Sequence, residues 1–151
     1  MAKTGRRLVV DTYAIMADIL GQIPGPALEA MEQVRRGRAA GVISSLTVFE
    51  LAYHWRRGRL PFRDEGELLG FASTYFRVVE VGPRLAAAAA AIKVEGDELL
   101  RGSGEASLRG RRLSVADAVV IALAEEYGAP VVTGDGDLGY VARSRGLEVI
   151  W

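Results

Sequence analysis

Asp11, Glu50, Asp117 and Asp135 are the residues of this chain best placed to do chemistry, with Asp137 close behind. Asp11 ends the apolar run Leu8-Val9-Val10. Glu50 closes Ser45-Leu46-Thr47-Val48-Phe49-Glu50, shortly after Val42-Ile43. Asp117 stands in Leu113-Ser114-Val115-Ala116-Asp117-Ala118, at the head of a long apolar segment. Asp135 follows Val131-Val132-Thr133-Gly134, and Asp137 lies two residues on. If the fold gathers these acids, they cannot all ionise cheaply without a counter-charge. A hard divalent cation, Mg²⁺ or Mn²⁺, supplies one, binding oxygen ligands and keeping several waters. One ion, or two about 4 Å apart, then activates water and stabilises a phosphoryl transition state.

The elements needed to gather them are legible in the hydrophobic pattern. Val9 and Val10, with no polar alternation, read as a strand buried on both faces, hence a central strand of a parallel sheet. Further strands are expected at 42–45, 77–81, 131–133 and 147–150. Helices are expected at 12–20, from Pro26 to about Ala40, from Thr47 to near Gly58, at 67–75, from Pro83 to about Leu100, at 114–127 and at 138–144. On the first helix Tyr13, Met16, Ala17 and Leu20 share one face. The helix from Ser114 is apolar almost all round and is expected to be buried. Strands alternating with helices predict an α/β fold with a mainly parallel sheet. Strand carboxyl ends and the helix amino ends that follow them lie on one edge of such a sheet, where sites form. The four acids share that address.

Each acid also has a plain structural reading. Thr47-x-x-Glu50 and Ser114-x-x-Asp117 match the capping box, and Asp11 and Asp135 suit N-caps. Capping explains any one of them; it explains the ordered set poorly, and caps can also be ligands. His54, the only histidine, lies four residues after Glu50 on the same helix face and reads first as a packed or surface residue. Two arginine clusters, Arg56, Arg57, Arg59 and Arg109, Arg111, Arg112, suit phosphate contact but also an ordinary solvated face. The second leads into the Asp117 helix.

Composition narrows the classes. A chain of 151 residues, half hydrophobic and a quarter charged, suits one domain spanning 1–151. The formal net charge is zero, so no global field draws it to polyanions or acidic membranes. No cysteine is present, which excludes disulfides, thiolate metal sites and a cysteine nucleophile and fits a cytoplasmic setting. No run is long enough to span a membrane, and Met1 to Arg7 lead straight into the first strand without a signal peptide.

The segments Val9-Val10-Asp11-Thr12, Thr47-Val48-Phe49-Glu50-Leu51, Leu113-Ser114-Val115-Ala116-Asp117-Ala118 and Val132-Thr133-Gly134-Asp135-Gly136-Asp137-Leu138, in this order, resemble the PIN-domain family. Within it they are similar to the VapC-type toxin nucleases of toxin–antitoxin pairs. The resemblance spans nearly the whole chain. It implies a three-layer α/β/α sandwich and a Mg²⁺- or Mn²⁺-dependent ribonuclease acting on RNA, usually a homodimer, restrained by a small antitoxin protein. It implies metal-binding roles for Asp11, Glu50, Asp117 and Asp135, and a less uniform one for Asp137. The chain departs from the pattern at Leu138, where an aromatic often follows the last acid, and in the long Gly- and Arg-rich stretch Gly102 to Arg112.

Two other classes stay open at this level. A haloacid-dehalogenase-like phosphatase is suggested by Asp11 at a strand end and by Gly134-Asp135-Gly136-Asp137. That chemistry wants a second aspartate two residues after the nucleophile, where this chain has Tyr13. A catalytically inert PIN scaffold serving protein interaction is the other. A calcium loop from Asp135 lacks its glycine and its closing glutamate, and no Gly-x-Gly-x-x-Gly follows the first strand.

Overall fold

The computed structural model describes residues 5–151. Met1 to Thr4, part of the segment read above as carrying no signal peptide, lie outside the described residues. The elements run β1 (Arg6–Val10), α1 (Thr12–Ile19), α2 (Gly25–Arg35), β2 (Ala39–Ser44), α3 (Ser45–Arg56), α4 (Glu65–Tyr75), β3 (Phe76–Val79), α5 (Pro83–Arg101), α6 (Ala106–Arg109), α7 (Val115–Tyr127), β4 (Val131–Val132), α8 (Gly136–Ser144) and β5 (Val149–Ile150). The five strands pair in parallel in the order β3-β2-β1-β4-β5. The expected α/β class with a parallel sheet is therefore observed.

β1 shows why the sheet is sandwiched. Leu8 and Val10 join the core formed with Ile15, Met31, Leu51 and Leu68, whereas Val9 joins the opposite core with Ile92, Leu113, Val119 and Leu123. Alternate side chains of one strand thus bury against α1 to α4 on one face and α5, α7 and α8 on the other. Full burial of each such side chain is worth about 1.5–3 kcal/mol. Residues 118–124 of α7 are buried without interruption, since α7 is enclosed between the sheet and α5.

Several element boundaries differ from the pattern-based expectation. α2 stops at Arg35, not near Ala40, because Gly37 takes φ 69° and the Arg38 N–H returns to the Gln33 carbonyl. That frees Ala39 to start β2. α3 starts at Ser45, because the Ser44 hydroxyl accepts from the Leu46 and Thr47 N–H groups. The expected Thr47 cap is therefore replaced by Ser44, one turn earlier than Glu50 would need to close a capping box. β3 ends at Val79, and the Val81 N–H donates to Ser45 Oγ instead of to a strand. β5 contains only Val149 and Ile150, because the Leu147 N–H closes the end of α8 on Ala142.

Candidate functional site

The register of the sheet brings distant residues together. Val10 pairs with Val132, so Asp11 and Thr133 emerge side by side at the carboxyl edge. The Asp11 N–H donates to the Val132 carbonyl at 3.2 Å. The Thr133 hydroxyl donates to Asp11 Oδ2, and the Ala14 N–H donates to Asp11 Oδ1 at 2.8 Å. Asp11 is thus the N-cap of α1 and, at 3% exposure, a buried carboxylate with both oxygens engaged. Asp135 caps α8 by accepting from the Asp137 and Leu138 N–H groups, at 2.8 and 3.2 Å. Asp117 sits in the first turn of α7, where its N–H donates to the Ser114 hydroxyl. Glu50 reaches across from α3 and accepts the Thr12 hydroxyl at 2.6 Å.

These four acids line one open cavity of about 450 Å³, together with Thr12, Tyr13, Met16, Ala17, His54 and Trp151 among others. The volume suits a small-molecule or nucleotide-sized site, typically about 300–1,000 Å³. The capping roles and the clustering coexist at Asp11 and Asp135, and three helix amino ends aim partial positive charge at the group.

That charge is insufficient. Burial pushes the Asp11 carboxyl up to about 7, against the Thr133 and Ala14 hydrogen bonds; the charges of Asp135 and Glu50 add to the rise. Burial likewise pushes Asp117 up to about 8, with Asp135, Asp11 and Glu50 adding like-charge repulsion and the Ser114 hydroxyl opposing it. An all-oxygen donor set short of positive charge is the chemistry a hard divalent cation fits. The side chains are not gathered around a single point. Among the described residues no group of three or more acidic or histidine side chains stands close enough to hold a metal ion as it is. The hydroxyls of Thr133 and Thr12 hold Asp11 and Glu50 in their own directions.

Comparison with known proteins places the fold. The model of the PIN domain family matches residues 8–144. The chain belongs to the PIN-domain family. No curated relative matches the sequence. Among solved structures, VapBC2 of Rickettsia felis, bound to a fragment of its promoter DNA, aligns with TM-score 0.63 at 14% identity, covering 95% of this chain and 96% of that one. PAE2754 of Pyrobaculum aerophilum aligns with TM-score 0.57 at 22% identity, over 97% and 92%. A toxin–antitoxin complex from Klebsiella pneumoniae gives 0.53 at 18% identity, over 85% and 86%. At these identities the likeness is one of fold. The PIN assignment removes the basis of the haloacid-dehalogenase alternative.

The remaining candidate residues of this PIN domain fall in different places. Asp137 does not line the cavity: it is buried, and its carboxylate pairs with Arg111 at 3.0 Å. Two residues after the Asp135 cap, the first turn of α8 has already rotated it away. Arg109 donates to the Ser103 and Gly104 carbonyls, tying down the Gly-rich stretch. His54 does line the cavity, with Nδ1 3.0 Å from the Arg59 guanidinium. Because that guanidinium can only donate, Nδ1 is the accepting side of this contact. Thr12 and Trp151 are site residues that motif reading missed. The Thr12 hydroxyl was overlooked as the start of a helix. Trp151 has no motif, but the pairing of Val132 with Ile150 places residue 151 beside Thr133.

Among the described residues no helix is long and apolar enough to cross a membrane.

Proposed function

We propose that this PIN domain is a Mg²⁺- or Mn²⁺-dependent endoribonuclease, the toxin of a toxin–antitoxin pair. The observation that carries the reading is the meeting of Asp11, Glu50, Asp117 and Asp135, from four separate parts of the chain, in one cavity at the carboxyl edge of the sheet. These four acids would hold the cation. When bound, the cation lowers the pKa of an attacking water and offsets charge building up on the phosphoryl oxygens.

The chain's own groups prepare the site. Thr133 and the Ala14 N–H engage both oxygens of Asp11, and Thr12 engages one of Glu50, so these two carboxylates are oriented by hydrogen bonds from the chain itself. Asp117 and Asp135 complete the negative wall from α7 and α8. His54, which lines the cavity, is placed to contact a phosphate or ribose oxygen. Asp137 acts as the anchor of Arg111 and stands outside the metal set.

A small antitoxin partner and a homodimer complete the reading. The fold likeness to a chain from a toxin–antitoxin complex supports the partner, and family resemblance supports the dimer. The test is cleavage of single-stranded or looped RNA by the purified protein with Mg²⁺, with Mn²⁺ and in EDTA. Cleavage in either metal and none in EDTA is expected. Hydrolysis unaffected by EDTA, or phosphate-monoester hydrolysis without RNA cleavage, would contradict it.

A further inference from the structure

Beside the acids the same cavity carries two aromatic rings that the metal chemistry does not use. Tyr13 follows Asp11 on α1, and Trp151 follows β5. Their rings meet edge to face, with centroids 5.4 Å apart and planes at 75°. Tyr13 is 51% exposed, so its ring is open to a ligand beside Asp11.

Gly134 shows that this pair is built into the site. A Cβ there would lie 2.4 and 2.5 Å from two indole carbons of Trp151 and 2.7 Å from a ring carbon of Tyr13. Both rings therefore rest directly on the backbone of residue 134. That residue lies between Thr133, which orients Asp11, and Asp135, which caps α8. Any side chain at 134 would push the rings away from the acids. The rings are thus held in register with the carboxylates before any ligand arrives, which lowers the ordering cost of binding.

The charge balance shows why such a surface is needed. The chain carries no net charge, the cavity wall is acidic, and among the described residues no arginine or lysine lines the cavity. An acidic wall with no cation in its lining lowers the share of affinity that phosphate contacts can supply there. Base stacking on aromatic rings is the other general source of affinity for single strands, and it tolerates any base.

We propose that Tyr13 and Trp151 form a platform on which one unpaired base of the RNA, next to the scissile phosphodiester, stacks. The inference rests on the ribonuclease reading above. Tyr13 supplies the exposed ring, and Trp151 holds it through the edge-to-face contact and extends the surface. The site then selects RNA by its unpaired state, since a base held in a duplex cannot leave its stack to lie on the rings.

The experiment is a cycle between protein and base. A short single-stranded RNA that the protein cleaves, or failing that a mixed-sequence oligonucleotide, is compared with copies carrying one abasic nucleotide at successive positions. Affinity is followed by anisotropy in Mg²⁺, and cleavage in parallel, for the wild type, Tyr13→Ser, Tyr13→Phe and Trp151→Phe. One abasic position should weaken wild-type binding by about 5- to 100-fold, the range of a single base–aromatic stack. Tyr13→Ser should weaken the intact RNA by a similar factor and show no further loss at that abasic position; both phenylalanine variants should stay near wild type. Tyr13 is half exposed, so its serine variant should fold, and a thermal melt checks this. An abasic penalty as large in Tyr13→Ser as in the wild type overturns the platform, as does cleavage indifferent to every abasic position, which leaves the ribonuclease intact. Coupled binding without cleavage supports the platform and contradicts the ribonuclease. RNA neither bound nor cleaved overturns both.

Discussion

Asp97 and Asp117 stand on either side of the start of α7, yet their carboxyls shift in opposite directions. Partial burial pushes Asp97 up, but the Leu113 N–H at 2.8 Å and the Lys93 ammonium at 3.1 Å bring it below the ordinary carboxylate range. Burial pushes Asp117 up as well, and the charges nearest to it are Asp135, Asp11 and Glu50. The first region is closed: its acid has a cation and a donor from the chain itself. Lys93 also donates to the Leu113 carbonyl, so the set knits α5 to the loop before α7. The second region is open: its four acids share hydroxyl and N–H donors but, among the described residues, no side-chain cation within hydrogen-bond reach. Asp137, which does have one in Arg111, lies outside the cavity. One acid is paired by the chain's own cation, whereas the four-acid cluster is not.

The largest effect that would break this comparison lies in catalysis. Asp11→Asn keeps an oxygen acceptor for the α1 cap but removes a charge from the open cluster. We expect kcat for RNA cleavage to fall on the order of 10²–10³-fold, the usual cost of removing one electrostatic partner of a transition state. Asp97→Ala should leave kcat within a few-fold of wild type. Comparable losses in the two variants would erase the distinction between the regions.

The next effect is on stability and runs the other way. Asp97→Ala removes a charge-assisted hydrogen bond to the Leu113 N–H and should destabilise the protein by about 1.5–3 kcal/mol in denaturant titration. The increment gained on adding Mg²⁺ should be unchanged. A lost Mg²⁺ increment would place Asp97 in the functional cluster.

A smaller, graded effect sharpens the same contrast. Asp11 and Asp117 bind their protons more tightly in the folded protein than at the ordinary value of 3.8. The stability they contribute is complete below about pH 4 and is lost as pH rises through about 7 and 8. In EDTA the wild type should therefore lose melting temperature relative to Asp117→Asn as pH rises across this window. Mg²⁺ should stabilise the wild type more at the upper end, where it no longer competes with protons. A difference between the two proteins that does not change with pH would contradict these shifts.

Much of this site can be read from the sequence, for a physical reason. A strand buried on both faces has a distinct apolar signature, and a parallel sheet sends all its carboxyl ends to one edge, so Asp11 and Asp135 could be placed without coordinates. Periodicity tells which residues share a face but not what that face meets. Tyr13, Met16, Ala17 and Leu20 all reach the cavity wall, yet they do not meet one environment: Tyr13 and Leu20 are exposed there, whereas Ala17 is buried and Met16 packs on the core with Ala14 and Ile15. Spacing could not separate Asp135 from Asp137, because the turn of α8 between them decides which acid faces the cavity. Thr47 and Ser44 competed for the same cap, and the cap chosen moved the start of α3 by two residues. Trp151 was invisible because its place depends on the pairing of β4 with β5, a partnership no local motif declares.

The central claim is that the four acids form a cluster lacking a cation, and Asp117→Asn tests it most directly. A mere capping partner, changed to Asn, would cost about 0.5–1 kcal/mol whether or not metal is present. A member of a repelling cluster behaves differently. Thermal melts of wild type and Asp117→Asn at about pH 8, in EDTA and in millimolar Mg²⁺, separate the two. In EDTA the variant should equal or exceed the wild type, by about 1.4 kcal/mol for each unit of the displaced pKa that is recovered. In Mg²⁺ the wild type should gain stability through ligand linkage, and the variant should lose most of that gain. A variant less stable in EDTA yet equally stabilised by Mg²⁺ would contradict the account.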